Sequence, residues 1–227
     1  MSKEIFILRE IGETMPGVLR VGVDLDANVV EIGTLVYRLI KRRFGIDIRS
    51  KLEEGPTDFW LDRWPEIQSI PHGPAFIEEI FGKPFIYENA RPIPGAVETL
   101  NKWRSQGHQI WFMTARPEGT LGQTTLDWLE ENNLPWARNR VLFSDGDRAN
   151  SKARQADELD LNIFIDDHAP TVKMVGSSLM MAKLVLRYSW NISGDIGNQA
   201  IFVSSWREMD KVVQDASRWH FFLTGYE

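Results

Sequence analysis

Residues 18–26 read VLRVGVDLD, an apolar and β-branched run that stops on two aspartates, Asp24 and Asp26. The same form recurs along the chain. HQIWFMTAR (108–116) closes on Thr114 and Arg116, NRVLFSD (139–145) and LNIFIDD (161–167) close on acid, and AKLVLRY (182–188) repeats the run. Short apolar runs bounded by turn residues suit strands buried on both faces. Helical patterns fill the intervals. Val29, Ile32, Gly33, Val36 and Ile40 fall at helical spacing, and Leu121, Thr125, Trp128 and Leu129 share one face of residues 119–132. Pro94 and Gly95 open AVETLNKWRSQG, which stops at Gly107. Strand–helix–strand alternation predicts an α/β fold of three layers, a parallel sheet with helices on both sides.

One stretch breaks the rhythm. Residues 45–92 hold six prolines, at 56, 65, 71, 74, 84 and 92, with short helical pieces such as TDFWLDRW and PAFIEEIF. The reading is a small helical insert after the first strand and helix. The predicted division is a core of residues 1–29 and 94–227, with a helical cap over 30–93.

The chain has 227 residues, enough for one elaborated domain at roughly 100–200 residues each. Its 26 basic and 32 acidic side chains leave a formal charge of −6, which argues against a general nucleic-acid binder. The absence of cysteine excludes a disulfide framework, a thiolate metal site and a cysteine nucleophile. The opening MSKEIFILREIGE is too charged for a signal-peptide core, and no run reaches the ~18 apolar residues of a membrane span. The expectation is a soluble, cytoplasmic protein.

Ligands of an open parallel sheet sit beyond the carboxyl ends of its strands. Three runs end there in suggestive residues: Asp24 with Asp26, Thr114, and Asp166 with Asp167. Lys152 lies in a polar stretch, RANSKARQ, that suits a helix opening on the same rim. Crowded carboxylates repel and are costly to desolvate alone. A hard divalent cation relieves that repulsion, and oxygen-only ligands select Mg²⁺. One aspartate can then act as a nucleophile, a second can move a proton, and Thr and Lys can hold phosphoryl oxygens.

In this order VGVDLDANV, WFMTARP, Lys152 and IFIDDHAP resemble the four motifs of the haloacid-dehalogenase superfamily of phosphohydrolases. The TARP ending, the IDD-x-x-P form and the tail YSWN…VSSWREM are most similar to its 5′(3′)-deoxyribonucleotidase branch. The resemblance spans residues 18–213. It implies a Mg²⁺-dependent phosphatase with an aspartyl-phosphate intermediate, Asp24 as nucleophile and Asp26 as acid and base. It also implies Thr114, Ala115 and Lys152 on the phosphate. The metal site would draw on Asp24, Asp26 (through its backbone carbonyl), Asp166 and Asp167. The family's usual Gly and Thr or Val after the second aspartate are replaced by Ala27 and Asn28. Alanine has less access to positive φ than glycine, so the turn is expected to differ.

The same residues admit other readings. DLDANV resembles the start of a calcium loop, but Val29 stands where Gly is needed and Leu35 where Glu is needed. A response-regulator receiver would carry an aspartate where this chain has Thr114. A phosphatase of nucleic-acid 3′ ends would share the motifs but would want a basic groove. A binding module that lost its activity would not need the whole acidic set. Trp60 and Trp64, at i and i+4, suit one helix face that either fills the cap or walls a nucleobase. With Arg116 they are the candidate substrate contacts. The expected substrate is a mononucleotide, with another small phosphate ester as the alternative.

Overall fold

The structure, a computed structural model, describes residues 17–49, 59–144, 147–175, 182–192 and 200–224, with side chains to Arg218. The opening run forms β1 (Arg20–Asp24). After it come β2 (Val30–Glu31), α1 (Gly33–Phe44), one 3₁₀ turn (Leu61–Arg63), α2 (Pro65–Gln68), α3 (Gly73–Phe81), α4 (Pro84–Glu88) and β3 (Arg91–Pro92). The remainder runs α5 (Ala96–Ser105), β4 (Gln109–Thr114), α6 (Glu118–Glu131), β5 (Val141–Phe143), α7 (Arg148–Glu158), β6 (Ile163–Ile165) and α8 (Ala169–Met174). It ends with β7 (Ala182–Leu186), β8 (Ala200–Val203) and α9 (Trp206–Thr224).

Six strands form one sheet in the order β5-β4-β1-β6-β7-β8. Every pairing in it is parallel. The predicted α/β class and parallel sheet are therefore observed. The apolar runs of the strands serve two faces at once. Leu19, Val21, Val23, Phe112, Ile163 and Ile165 join one core with Leu100, Trp103, Trp128 and Trp206 of the helices. Trp111, Met113 and Phe164, the alternate positions, join another core with Ala156 and Val175. Gly22 in β1 leaves room for that second layer: a Cβ there would collide with the side chains of Leu161 and Met113. Strand β8, at the edge, was not foreseen. Its run, AIFV, is exposed at Ile201 and buried only at Val203, and like β5 at the other edge it lacks the two-faced burial of the central strands.

The helix predicted from Val29 begins later, at Gly33, because Val29 and Val30 close a tight turn after β1. Helix α6 buries the predicted face of Leu121, Thr125, Trp128 and Leu129. In the stretch between β2 and β3 the prolines start helices rather than only breaking them. Pro65, Pro74 and Pro84 each stand at the first or second position of α2, α3 and α4, where a missing N–H costs nothing. These short helices gather their own core of Val36, Ile40, Trp64, Ile67, Ile77, Ile80, Ile86 and Tyr87, into which Leu121 of α6 projects. Val30 pairs antiparallel with Pro92 and Glu31 with Arg91, so the chain leaves and re-enters the sheet layer at one narrow ribbon. The predicted helix TDFWLDRW is only partly described; residues 57 and 58 lie outside the described residues, and Leu61–Arg63 is a single 3₁₀ turn. Among the described residues no helix is long and apolar enough to cross a membrane.

Candidate active site

Strand register brings the acidic ends together. Val23 pairs with Ile165, so the next residues, Asp24 and Asp166, emerge side by side from β1 and β6. Asp24 pairs with Met113, which puts Thr114 one step beyond on the other flank. Carboxylate oxygens of Asp24, Asp166 and Asp167 lie within 4.8 Å of one another, and all three residues are buried. Lys152 reaches them from α7, whose first turn is capped by Asp147. Its Nζ donates to Asp24 Oδ1 and, at 2.7 Å, to Asp166 Oδ2.

Electrostatics of the cluster follow from burial. Three carboxylates share one ammonium. Burial pushes Asp24 up to about 7, Lys152 opposes the rise, and Asp166 and Asp26 add to it. Asp167 is raised well above the carboxylate range, by burial first and then by Asp166 and Asp24. Burial works against the Lys152 ammonium, but Asp166 and Asp24 outweigh it and hold its pKa above the ordinary lysine value. The cluster is short of positive charge.

Each carboxylate is aimed by named donors. Asp166 Oδ1 accepts from the His168 backbone N–H at 2.8 Å. Asp167 Oδ2 accepts from Trp190 Nε1 at 2.9 Å, while its Oδ1 accepts from Asn28 Nδ2 at 3.0 Å. Asp26 stands apart from the three. Its carboxylate turns to Arg116, with Nη2–Oδ1 at 2.6 Å and Nε–Oδ2 at 3.1 Å. Thr114 is fully buried, and its hydroxyl accepts from the Arg116 N–H at 3.2 Å.

The turn after β1 carries the sequence departures. Ala27 adopts the left-handed conformation, φ 62°, in which glycine would be less strained. The tail of the sequence holds it there. The Tyr188 hydroxyl donates to the Ala27 carbonyl at 2.6 Å, and Trp206 Nε1 donates to the Asn28 carbonyl at 2.7 Å. Tyr188 also stacks on Trp190, with ring centroids 4.3 Å apart and planes 9° apart. Asn191 completes the clamp by donating to the carbonyls of Asp167 and Leu186. The YSWN stretch therefore supports the site from behind, a role its distance in sequence concealed.

A cavity of about 400 Å³ opens beside the cluster, lined by Trp60, Ala115, Ser144, Asp147, Arg148 and His168 among others. The Arg148 guanidinium lies 5.3 Å from the Trp60 ring and 5.8 Å from Phe59. Phe59 packs on His168 at 4.5 Å. Burial lowers the His168 pKa to about 4, with Asp166 opposing, so the ring is neutral and bonds Thr171 through Nδ1.

The structure separates the candidate substrate contacts. Trp60 and Trp64 do not share a helix face; they flank the 3₁₀ turn, both in extended backbone. Trp60 is 39% exposed at the cavity, whereas Trp64 is buried in the insert's own core. Arg116 is only 3% exposed and is committed to Asp26 and Thr125, with the Tyr87 ring 4.1 Å from its guanidinium. Sequence reasoning missed Asn28, Trp190, Tyr188, Arg148 and Phe59. Asn28 carried a signal as a departure inside a motif, and Tyr188 and Trp190 as part of the YSWN stretch, which told of resemblance but not of their contacts.

A family model described as "PITM 1-3, LNS2 domain" matches residues 80–178. A protein of Bacillus cereus with the provisional name of nucleotidase is 23% identical over 201 residues, covering 86% of this chain and 98% of its own length. A second, from Oceanobacillus iheyensis and named in the same way, is 25% identical over 163 residues, 68% of this chain and 79% of that one. The crystal structure of a HAD family hydrolase from Deinococcus radiodurans, with bound phosphate and sodium, is similar at a TM-score of 0.57 and 18% identity. That match covers 89% of this chain and 97% of the other, and the likeness is one of fold.

Proposed function

We propose that this chain, which has the fold of the haloacid-dehalogenase superfamily, is a Mg²⁺-dependent phosphomonoesterase working through an aspartyl-phosphate at Asp24. The observation that carries the reading is the meeting of Asp24, Asp166, Asp167 and Lys152 at adjacent strand ends, buried and short of positive charge. The donor set fits a hard divalent cation, since it is all oxygen and burial drives Asp24 and Asp167 toward protonation without one. Asp24, the Asp26 carbonyl and Asp167 would hold it, with Asp166, which accepts from Lys152 and the His168 N–H, completing the site beside them. Mg²⁺ bound there would neutralise the carboxylates and polarise the phosphoryl group.

In the proposed reaction an Asp24 oxygen attacks phosphorus, forming the P–O bond to aspartate as the bond to the ester oxygen breaks. Asp26, held by Arg116, gives its proton to the leaving oxygen. It then takes a proton from the water that hydrolyses the acyl phosphate. Thr114, the Ala115 backbone and Lys152 receive the phosphoryl oxygens, where charge is redistributed in the transition state. Residues 30–93 serve as a cap whose Trp60 lines the cavity beside the cluster, with Phe59 packed behind it on Trp60 and His168.

The substrate we infer is a nucleoside monophosphate, its base against Trp60. The aromatic wall and the provisional names of the two bacterial relatives support that choice. The test is phosphate release in Mg²⁺ across mononucleotides, sugar phosphates, aryl phosphates and 3′-phosphorylated oligonucleotides. The reading expects mononucleotides to lead in kcat/KM. A lead by sugar phosphates or oligonucleotides would overturn the substrate, and no release from any would overturn the enzyme.

A further inference from the structure

Asn28 stands where the superfamily resemblance has Thr or Val, and its side chain enters the acidic cluster fully buried. Its Nδ2 lies 3.1 Å from Asp24 Oδ2, 3.0 Å from Asp167 Oδ1 and 3.3 Å from the carbonyl oxygen of Asp26. An amide nitrogen has two hydrogens, so three acceptors oversubscribe it. The other end of the same amide is idle. Asn28 Oδ1 is buried and has no hydrogen-bond partner among the described residues. A buried carbonyl left without a donor is unfavourable, and native structures contain few of them.

The crowding of three acceptors on one amide has an explanation, and the idle Oδ1 holds no bond that would resist turning the group over. Three oxygens from Asp24, Asp26 and Asp167 converge on the Asn28 amide, and these are the oxygens assigned above to the cation. With the cation absent, a carbonyl facing them would be repelled, so the amide presents N–H. With a cation present, N–H would be repelled and the carbonyl attracted. Amide nitrogen and oxygen occupy nearly the same positions when the group turns over. Oxygens on adjacent corners of a Mg²⁺ octahedron, each about 2.1 Å from the metal, stand about 3 Å apart. The amide terminus already holds that spacing, 3.0–3.3 Å, from all three. The backbone beneath it is fixed, since the Asn28 carbonyl accepts from Trp206 and its N–H donates to Leu25. Only the side chain needs to turn.

We propose that Asn28 is a ligand of the cation site: its N–H₂ ties Asp24 to Asp167 when the cation is absent, and the amide turns over to offer Oδ1 when Mg²⁺ binds. This rests on the cation site proposed above, and it assigns to the motif's departure a role that a valine there could not fill.

The experiment is calorimetric titration of Mg²⁺ alone into the full chain, for the wild type, Asn28→Leu and Asn28→Asp. The proposal expects Asn28→Leu to weaken binding by at least roughly tenfold, the lower end for disturbing a metal site. Asn28→Asp, which keeps an oxygen in place, should bind no more weakly than the wild type. A measurement on the wild type removes dependence on the variants' folding: the Asn28 side-chain N–H₂ signals in a ¹H–¹⁵N spectrum should move on Mg²⁺ saturation. Equal or tighter binding by a folded Asn28→Leu, or N–H₂ signals that stay in place at saturation, would overturn the assignment and leave the cation site standing. A wild type that binds no Mg²⁺ would overturn the site, and Asn28's role with it.

Discussion

Arg116 grips Asp26 at both carboxylate oxygens, at 2.6 and 3.1 Å, while its guanidinium faces the ring of Tyr87 in the insert. The arginine two residues after Thr114 thus holds the candidate acid and base in place. It also ties that group to the helical insert, because Tyr87 belongs to the insert's core.

From this pairing comes a first prediction. Asp26→Asn should slow turnover by roughly 10²–10⁴-fold, the range for losing general acid–base help. Arg116→Ala should slow it comparably and lower stability by less than the ~3–5 kcal/mol of a fully buried pair, because Asp26 is partly exposed. Residues acting as one unit are not additive, so the double variant should be about as slow as the slower single one. Rates that multiply would show that the two act separately.

Trp60 and Trp64 should part company. Trp64→Ala removes a buried ring from the insert's core and should lower stability by roughly 3–5 kcal/mol, seen in thermal melts. Trp60→Ala should leave the melting temperature nearly unchanged. For a mononucleotide it should lower kcat/KM by about 5- to 150-fold, the equivalent of one stacked base, with little effect on a small aryl phosphate. Equal losses on both substrates would remove the base from this wall.

The sheet and its acidic rim were legible in the sequence because strands buried on two faces leave unbroken apolar runs, and because those runs end in the chemistry. β8 was not, although AIFV is itself a short apolar run: no acidic or phosphate-binding residue follows it to mark it. Asp24, Thr114, Lys152, Asp166 and Asp167 could be nominated from their order along the chain. Their supports could not. Trp190 and Tyr188 reach Asp167 and Ala27 across the fold, and no local pattern reports a hydrogen bond between residues 23 or 161 positions apart. Trp60 and Trp64 misled because spacing of four residues implies a shared face only in an α-helix, and here a single 3₁₀ turn intervenes.

Trp190 offers a test of those supports. Its indole N–H fixes one oxygen of Asp167, leaving the other toward Asn28. Trp190→Phe keeps the stack on Tyr188 but loses the donor. Mg²⁺ affinity, measured by calorimetry, should fall by roughly 10–100-fold, as for other residues that orient a metal ligand. Unchanged affinity would mean that Asp167 needs no such fixing.

The cluster also predicts how stability responds to pH. Asp24 and Asp167 are raised in the folded state above their unfolded values, so the folded chain holds those protons more tightly. Their contribution is fully present below about pH 4 and is lost as pH rises through the folded value, about 7 for Asp24. In chelator, the part of stability owed to these groups should therefore fall between pH 4 and 7. Saturating Mg²⁺, which favours the ionised forms, should flatten or reverse the fall. Identical pH profiles with and without the cation would contradict the account of the site.

The central claim is that Asp24 carries the phosphoryl group during turnover. Acid quenching of the chain during hydrolysis of a ³²P-labelled mononucleotide in Mg²⁺, followed by peptide mapping, addresses it directly. The account predicts label on the peptide containing Asp24, sensitive to hydroxylamine as an acyl phosphate is, and neither label nor turnover in Asp24→Asn. Near-normal Mg²⁺-dependent hydrolysis by Asp24→Asn, or label on a different residue, would contradict it.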